Sequence, residues 1–367
     1  MESSRLRSRL HLAVLMAGLL VAPASIAARQ TAQSSVATVL DRYERGDWSG
    51  ANVPTLADSQ LRSMLGDLKK VTPVWIKAAS ANDIPRRRLA AASFVLELLS
   101  SQNDPLLWDD GKPASDMLEW ACGLLREAPP TPAERTWYLA SFALLERLHA
   151  IVTIDRHIEH ATARSPSEER WALIRGISQD LRTWPEPRDE QAFSVTPAVT
   201  TNMGAYASSR ISLGPSVTPT LLARYAEAAA KPAVRQEALL RLGYFEFRRG
   251  NVDAALARFG EAGTPDDPAL RYWLHLFTGR ALEQAHRLTE AVAAYHSATI
   301  DVPNAQSATF AYAAALVANH QAPEAASFVL SALASQPAPP DPWMIYAIPD
   351  MRFWPALMAE LRKAITP

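Results

Sequence analysis

Chemistry needs side chains that titrate, attack or coordinate, and this chain gathers few of them. The stretch Asp-Arg-His-Ile-Glu-His at 155–160 brings together Asp155, His157, Glu159 and His160, with the histidines three positions apart. Residues at i and i+3 share a helix face, so this spacing suits a pair of metal ligands. It is not the zinc-peptidase order, in which two histidines four apart enclose a glutamate directly after the first. A solvated helix face is the preferred reading. Asp109 and Asp110 would serve glycoside hydrolysis only if the fold held two carboxyls at a working distance, and their spacing does not arrange that. Cys122, the single cysteine, lies in Met-Leu-Glu-Trp-Ala-Cys-Gly-Leu-Leu-Arg-Glu and reads as a small buried apolar residue on a helix rather than a reactive thiol. The sequence contains no phosphate loop, no Gly-x-Ser-x-Gly elbow and no dinucleotide glycine fingerprint. Catalytic residues: none; cofactors: none; metal site: none. A non-catalytic role is expected.

The elements that would position any site are helices. Ala, Leu, Arg and Glu crowd the chain, and strand-like alternation is nearly absent. Apolar positions recur at three- and four-residue steps in segments such as 86–101, 132–150, 167–182, 218–231 and 234–250, with Pro, Gly, Asp or Ser at the starts and stops. Helices this short are marginal alone and need neighbours to cover their apolar faces. The expected class is all-α, built of antiparallel hairpins packed in a row.

A period runs through the C-terminal half. Gly243, Gly279 and Ala313 occupy equivalent positions, 36 and then 34 residues apart. In the first copy Leu239, Leu242 and Gly243 mark the first helix, Gly250 ends it, and Ala255, Phe259 and Ala262 mark the second. The second copy has Gly279, Leu282, Ala291, Tyr295, Ala298 and a closing Pro303. The third has Ala313, Leu316, Ala325, Val329, Ala332 and Pro337. Small residues let two helices cross closely, the bulky residue fills the space against the next hairpin, and proline blocks continuation. On these residues the chain resembles the tetratricopeptide repeat (TPR) family over about 236–339. It departs from the family pattern at Glu246, where Tyr is usual, at His286, in place of the terminating Gly, and at Ala313. The resemblance implies a right-handed α-solenoid of tandem helix hairpins, with atypical helical caps at both ends.

Fainter matches lie upstream. Leu145, Ile158, Ala161 and Pro166 keep a repeat-like spacing, and 167–182 finds its partner helix in 218–231 through Leu221, Tyr225 and Ala228. Between them 183–217 is rich in Pro, Ser, Thr and Gly. It reads as an insertion, either a disordered loop or an ordered one folded over a groove. The expected order is a secretory signal peptide at 1–28, an irregular helical region at 29–130 and degenerate repeat-like pairs at 131–235. Three clear repeats at 236–339 and an aromatic cap helix at 340–367 follow. In the last segment Trp343, Tyr346, Phe353 and Trp354 form either a binding platform or a cover for the exposed end of the stack; the cover is preferred.

The first residues have the three parts of a secretory signal: Arg5, Arg7 and Arg9, an apolar run at 12–22, and small residues for cleavage after Ala27 or Ala28. A periplasmic or secreted location is expected. Removing 1–27 takes away three arginines and Glu2, leaving 34 basic against 37 acidic side chains, which gives no electrostatic footprint for nucleic acid. No second apolar run reaches spanning length, so no transmembrane segment is expected in the mature chain. What remains is surface. The resemblance implies that the first helix of each pair lines a concave groove, where Glu237, Tyr244, Arg248, Trp273, Arg280, Gln284 and Phe310 are the candidates for gripping a protein or peptide partner. The expected function is an exported scaffold that mediates protein–protein interaction. The alternative is an envelope carbohydrate-binding or polysaccharide-processing accessory protein, suggested by ten tryptophans and nine tyrosines.

Overall fold

The computed structural model describes residues 36–47, 56–102, 112–147, 151–181, 217–335, 340–346 and 353–367. The expected signal peptide, Asp109, Asp110 and nearly all of the insertion read at 183–217 lie outside the described residues. Among those described, every regular element is a helix. None is long and apolar enough to cross a membrane.

The chain divides into two compact units, the described residues of Met1–Leu144 with Phe353–Pro367, and Leu145–Arg352. The first contains α1 (36–44), α2 (Asp58–Lys77), α3 (Ile84–Ser100), α4 (Lys112–Arg126), most of α5 (Pro132–Arg147) and α15 (Trp354–Ile365). Its centre is α3, which buries Ala90, Ala91, Ala92, Phe94, Val95, Leu96, Leu98 and Leu99 and is therefore apolar nearly all round. Helices α2, α4 and α15 pack against it. On α1, Glu44 faces Arg86 at 2.8 Å and Arg87 at 3.3 Å, while Asp41 accepts from the Trp75 indole at 2.7 Å.

The position of α15 departs from the expected cap. It belongs to the first unit and turns Leu357, Met358, Leu361 and Ile365 inward. Arg362 donates to Glu97 of α3 at 2.9 Å, Arg86 donates to the Ile365 carbonyl at 2.9 Å, and Thr136 donates to Glu360 at 3.0 Å. The apolar α3 is the partner that the amphipathic helix packs against.

The second unit holds α6 (Ile151–Arg164), α7 (Arg170–Leu181), α8 (Val217–Ala229), α9 (Arg235–Arg248) and α10 (Val252–Ala262). It continues with α11 (Pro268–Gln284), α12 (Leu288–Asp301), α13 (Gln306–Ala318) and α14 (Ala322–Ala334). Each packs against the next in chain order from α6 to α14, and α9 meets α11 as α11 meets α13. The close approaches are made by glycines. A β-carbon on Gly243 would lie 2.5 Å from the Phe259 ring, one on Gly279 2.5 Å from Tyr295, and one on Gly176 2.8 Å from Tyr225. The third pair recurs across the long gap between α7 and α8. In the last pair Ala313 and Leu316 pack with Ala325 and Val329.

The turns repeat as well. Gly250, His286 and His320 all adopt positive φ, at 84°, 59° and 62°. Behind each, the same two bonds close the helix end: Gly250 N–H to Phe247 and Asn251 N–H to Glu246, His286 to Glu283 and Arg287 to Leu282, His320 to Val317 and Gln321 to Leu316. This is the Schellman pattern, which satisfies carbonyls that a helix end otherwise leaves unpaired. The histidine at 286 thus occupies the conformation that the first copy gives to glycine.

Candidate functional site

The richest cluster of aromatic and charged side chains lies where α9 and α11 run together. Tyr244 and Phe277 stack with ring centroids 4.2 Å apart. Four positions are set by helical spacing: Glu237, Arg241, Tyr244 and Arg248 recur at steps of three and four along one face of α9. Trp273, Phe277 and Arg280 do the same on α11.

This surface carries a segment of the chain itself. A single 3-10 turn, Pro342–Ile345, meets α11, and its Trp343 stacks on Tyr346, the residue that ends it, at 5.2 Å. Tyr346 stands edge-on to Tyr244 at 5.2 Å, to Trp273 at 5.3 Å and to Phe277 at 5.3 Å. Trp343 meets Phe277 and Tyr244, each at 5.6 Å. Edge-to-face pairs of this kind add about 0.5–1.5 kcal/mol each beyond area burial. Over the Tyr346 ring lies the Arg241 guanidinium, 4.5 Å from the ring centroid.

The polar contacts reach main-chain atoms of that segment. The Trp273 indole N–H donates to the Pro342 carbonyl at 2.8 Å, and Arg241 donates to the Tyr346 carbonyl at 3.0 Å. Arg241 is held by Glu237 at 3.0 Å, so its charge is paired although the side chain is only 2% exposed. The Asp341 carboxylate accepts from Tyr272 O–H at 2.9 Å, from the Ser307 amide at 2.5 Å and from the Trp343 amide at 2.9 Å. The Ser307 amide lies in the first turn of α13, where a helix favours negative charge. Burial raises the Tyr272 and Tyr346 hydroxyl pKa values well above the ordinary phenol range. Asp341 adds to the rise at Tyr272, while Arg241 opposes it at Tyr346.

The seven residues expected to line an open groove take different places. Glu237, Tyr244 and Trp273 are buried, and so is the Arg248 side chain at 3% exposure, so these four are not a solvent-facing surface. Trp343 and Tyr346 pack on Tyr244, Tyr346 packs on Trp273, and Glu237 pairs with Arg241. Arg248 turns toward α7 instead and pairs with the buried Asp180, which also accepts from Tyr225 O–H at 3.0 Å. Burial works against the Arg248 charge, but Asp180 together with Tyr346 and Tyr244 outweighs it and holds the guanidinium pKa above its ordinary value. Arg280 is half-buried, and desolvation lowers its pKa. Gln284 stays exposed at the end of α11, and Phe310 is 44% exposed on α13.

Arg241, Tyr272, Phe277 and Asp341 belong to the site and were not among those seven. Arg241 carried a signal, four residues after Glu237 on one helix face. The signal for Asp341 was its place before a proline, an N-cap arrangement in which its carboxylate takes the Trp343 amide.

The other candidates for chemistry resolve differently. His157 is buried rather than solvated, and desolvation with the charge of His160 holds it down at about 3. Among the described residues no cluster of three or more His, Cys, Asp or Glu stands ready for a metal ion. Cys122 is fully buried, which raises its thiol pKa strongly. His275 Nδ1 lies 2.6 Å from Asp301, whose other oxygen accepts from Arg271 at 3.2 Å; the trio clasps α11 to the end of α12. A cleft of about 590 Å³ lies among α6, α7 and α8, lined by Ile158, Glu159, Thr162, Arg175, Gln179 and Arg224. Arg175 is engaged there with Thr162 at 3.3 Å and Glu227 at 3.6 Å. No protein-family model matches the chain, and no curated protein matches it either.

Proposed function

We propose that this chain is a non-catalytic scaffold of the tetratricopeptide kind, exported to the periplasm or beyond, which binds a partner protein through a peptide-gripping cradle built by α9 and α11. The observation that carries this reading is the grip on residues 341–346. Trp273 and Arg241 bond to backbone carbonyls while Tyr244, Trp273 and Phe277 supply an aromatic bed. Backbone bonds with pockets for spaced side chains are how groove proteins hold peptides. The recurring Gly–aromatic approaches and Schellman turns support a repeat array as the body of the scaffold, wound as a right-handed solenoid.

The test is cross-linking of the purified chain to an envelope fraction, run beside a glycan-binding assay on the same preparation. A protein cross-link mapping to α9, α11 or α13 supports the scaffold. Retention on glycans with no protein cross-link would overturn it in favour of a carbohydrate-binding role.

A further inference from the structure

The turn at 341–346 has the chemistry of a ligand rather than of another helix of the array. It is a single turn, it follows the last hairpin, and it returns to helices roughly seventy residues earlier, with Trp273 and Pro342 separated by 69 positions. Its anchors are a carboxylate, a Trp and a Tyr three residues later, in the order Asp-Pro-Trp-x-x-Tyr. The cradle reads each one. Tyr272 and the first turn of α13 take the carboxylate, Phe277 and Tyr244 take the Trp, and Trp273 with Arg241 takes the Tyr. Arg241 and Trp273 hold main-chain oxygens, which any peptide in the same path would offer.

We propose that Asp341–Tyr346 is a built-in competitor which keeps the cradle closed, and that the partner enters by displacing it with a segment of the same Asp-Pro-Trp-x-x-Tyr chemistry. The proposal rests on the scaffold reading and adds its regulation. A tethered segment acts at an effective concentration on the order of millimolar, so a free peptide of equal intrinsic affinity is held off until the tethered copy is weakened or the partner adds further contacts. Closure also hides an aromatic surface that would otherwise be a large apolar patch on an unliganded protein. Recognition then requires a partner to match both the carboxylate and the two aromatic anchors: a segment lacking the first leaves Tyr272 and the Ser307 amide desolvated without that bond, and one lacking the second leaves the rings of Tyr244, Trp273 and Phe277 uncovered.

The experiment uses the full chain and a fluorescent synthetic peptide spanning residues 340–346. The wild type and the Trp343→Ala, Tyr346→Ala double variant are titrated with it, and a scrambled peptide serves as control. The expected result is binding to the double variant at least about tenfold tighter than to wild type, with no binding of the scrambled sequence. A variant that keeps its helical circular dichroism and does not take up the peptide overturns the proposal. A variant that unfolds overturns it too, because a removable ligand leaves a folded cradle behind.

Hydrogen exchange on the unaltered chain gives a second, independent reading. The amides of Trp343, Met344 and Tyr346 bond within the turn. Exchange of these amides clearly faster than that of Leu240, Tyr244 and Leu276 is expected of a segment that leaves while the helices stay. Equal rates for both sets would make the turn a fixed part of the core. A wild-type chain that dimerises through exchange of this segment, with the dimer lost in the double variant, would assign the competing copy to a second molecule of this chain and overturn the partner proposal. Cross-linking to an envelope protein with the cradle still closed would leave the scaffold standing and remove only its regulation.

Discussion

The backbone of Gly279 passes under the ring of Tyr295 so closely that a β-carbon on it would stand 2.5 Å from Cδ1 and Cε1. The ring is fixed from its other end, where its hydroxyl donates to Glu283 at 2.8 Å. Gly279→Ala therefore gains helix propensity and loses more to the clash, for a net destabilisation of roughly 1–3 kcal/mol. Gly123→Ala, in α4 with nothing within 4 Å of the added carbon, moves the other way by about 0.5–1 kcal/mol. Urea unfolding of the two variants checks the pair. Equal effects would show that the α11–α12 approach is looser than described.

His286 and His320 sit at the turn position that Gly250 fills in the first copy, and both are exposed at positive φ. A β-carbon in that conformation costs about 1–2 kcal/mol, part of which glycine gives back through its unfolded-state freedom. His286→Gly and His320→Gly should each stabilise the chain by about 0.5–1 kcal/mol, read as a rise in the urea midpoint at constant slope. A fall in the midpoint would mean that the imidazoles make contacts worth more than the strain.

How far the sequence led is clear from these same residues. Gly243 with Phe259, and Gly279 with Tyr295, could be read from spacing because a close helix crossing imposes a local, periodic constraint. Tyr225, across a long insertion, was found by the same means and lies against Gly176. His286 was legible as a departure, but its backbone conformation was not. The cradle was half legible. Tyr244, Trp273 and Glu237 were picked out by helical position, yet Trp343 and Tyr346 pack on Tyr244, and Tyr346 on Trp273, and contacts between residues so distant in the chain leave no periodic trace. The destination of α15 was hidden for the same reason: its amphipathic pattern states that it needs a partner and is silent on which one.

Asp180 and Arg248 form a buried pair joining α7 to α9, with side chains 8% and 3% exposed. Asp180→Asn strands the guanidinium in a desolvated place and should cost about 3–5 kcal/mol. Replacing both, as Asp180→Leu with Arg248→Met, should cost less than the single change, since two apolar groups leave no buried charge, although the Tyr225 hydroxyl loses its bond. The measurement is a double-mutant cycle by urea unfolding. Additive losses would show that the pair is solvated in solution.

His157 is held at about 3, against an ordinary 6.5, by burial and then by the charge of His160. Below pH 6.5 the unfolded chain binds a proton there that the folded chain refuses, so stability falls as pH drops through the window from 6.5 to about 3. Above 6.5 the group contributes no pH dependence. The loss reaches roughly 3–5 kcal/mol at the acid end. His157→Gln should flatten that part of the curve, measured as the difference in unfolding free energy between variant and wild type from pH 7 to pH 4. A difference that does not change with pH would remove His157 from the acid response.

The path of the chain after α14 has a consequence for how each unit is completed. Asp341–Tyr346 completes the aromatic bed of one unit, and Trp354–Ile365 covers the central helix of the other. Each unit therefore depends on residues that follow α14. A variant lacking residues 336–367 would keep the described hairpins of α6–α14 and leave both apolar surfaces uncovered.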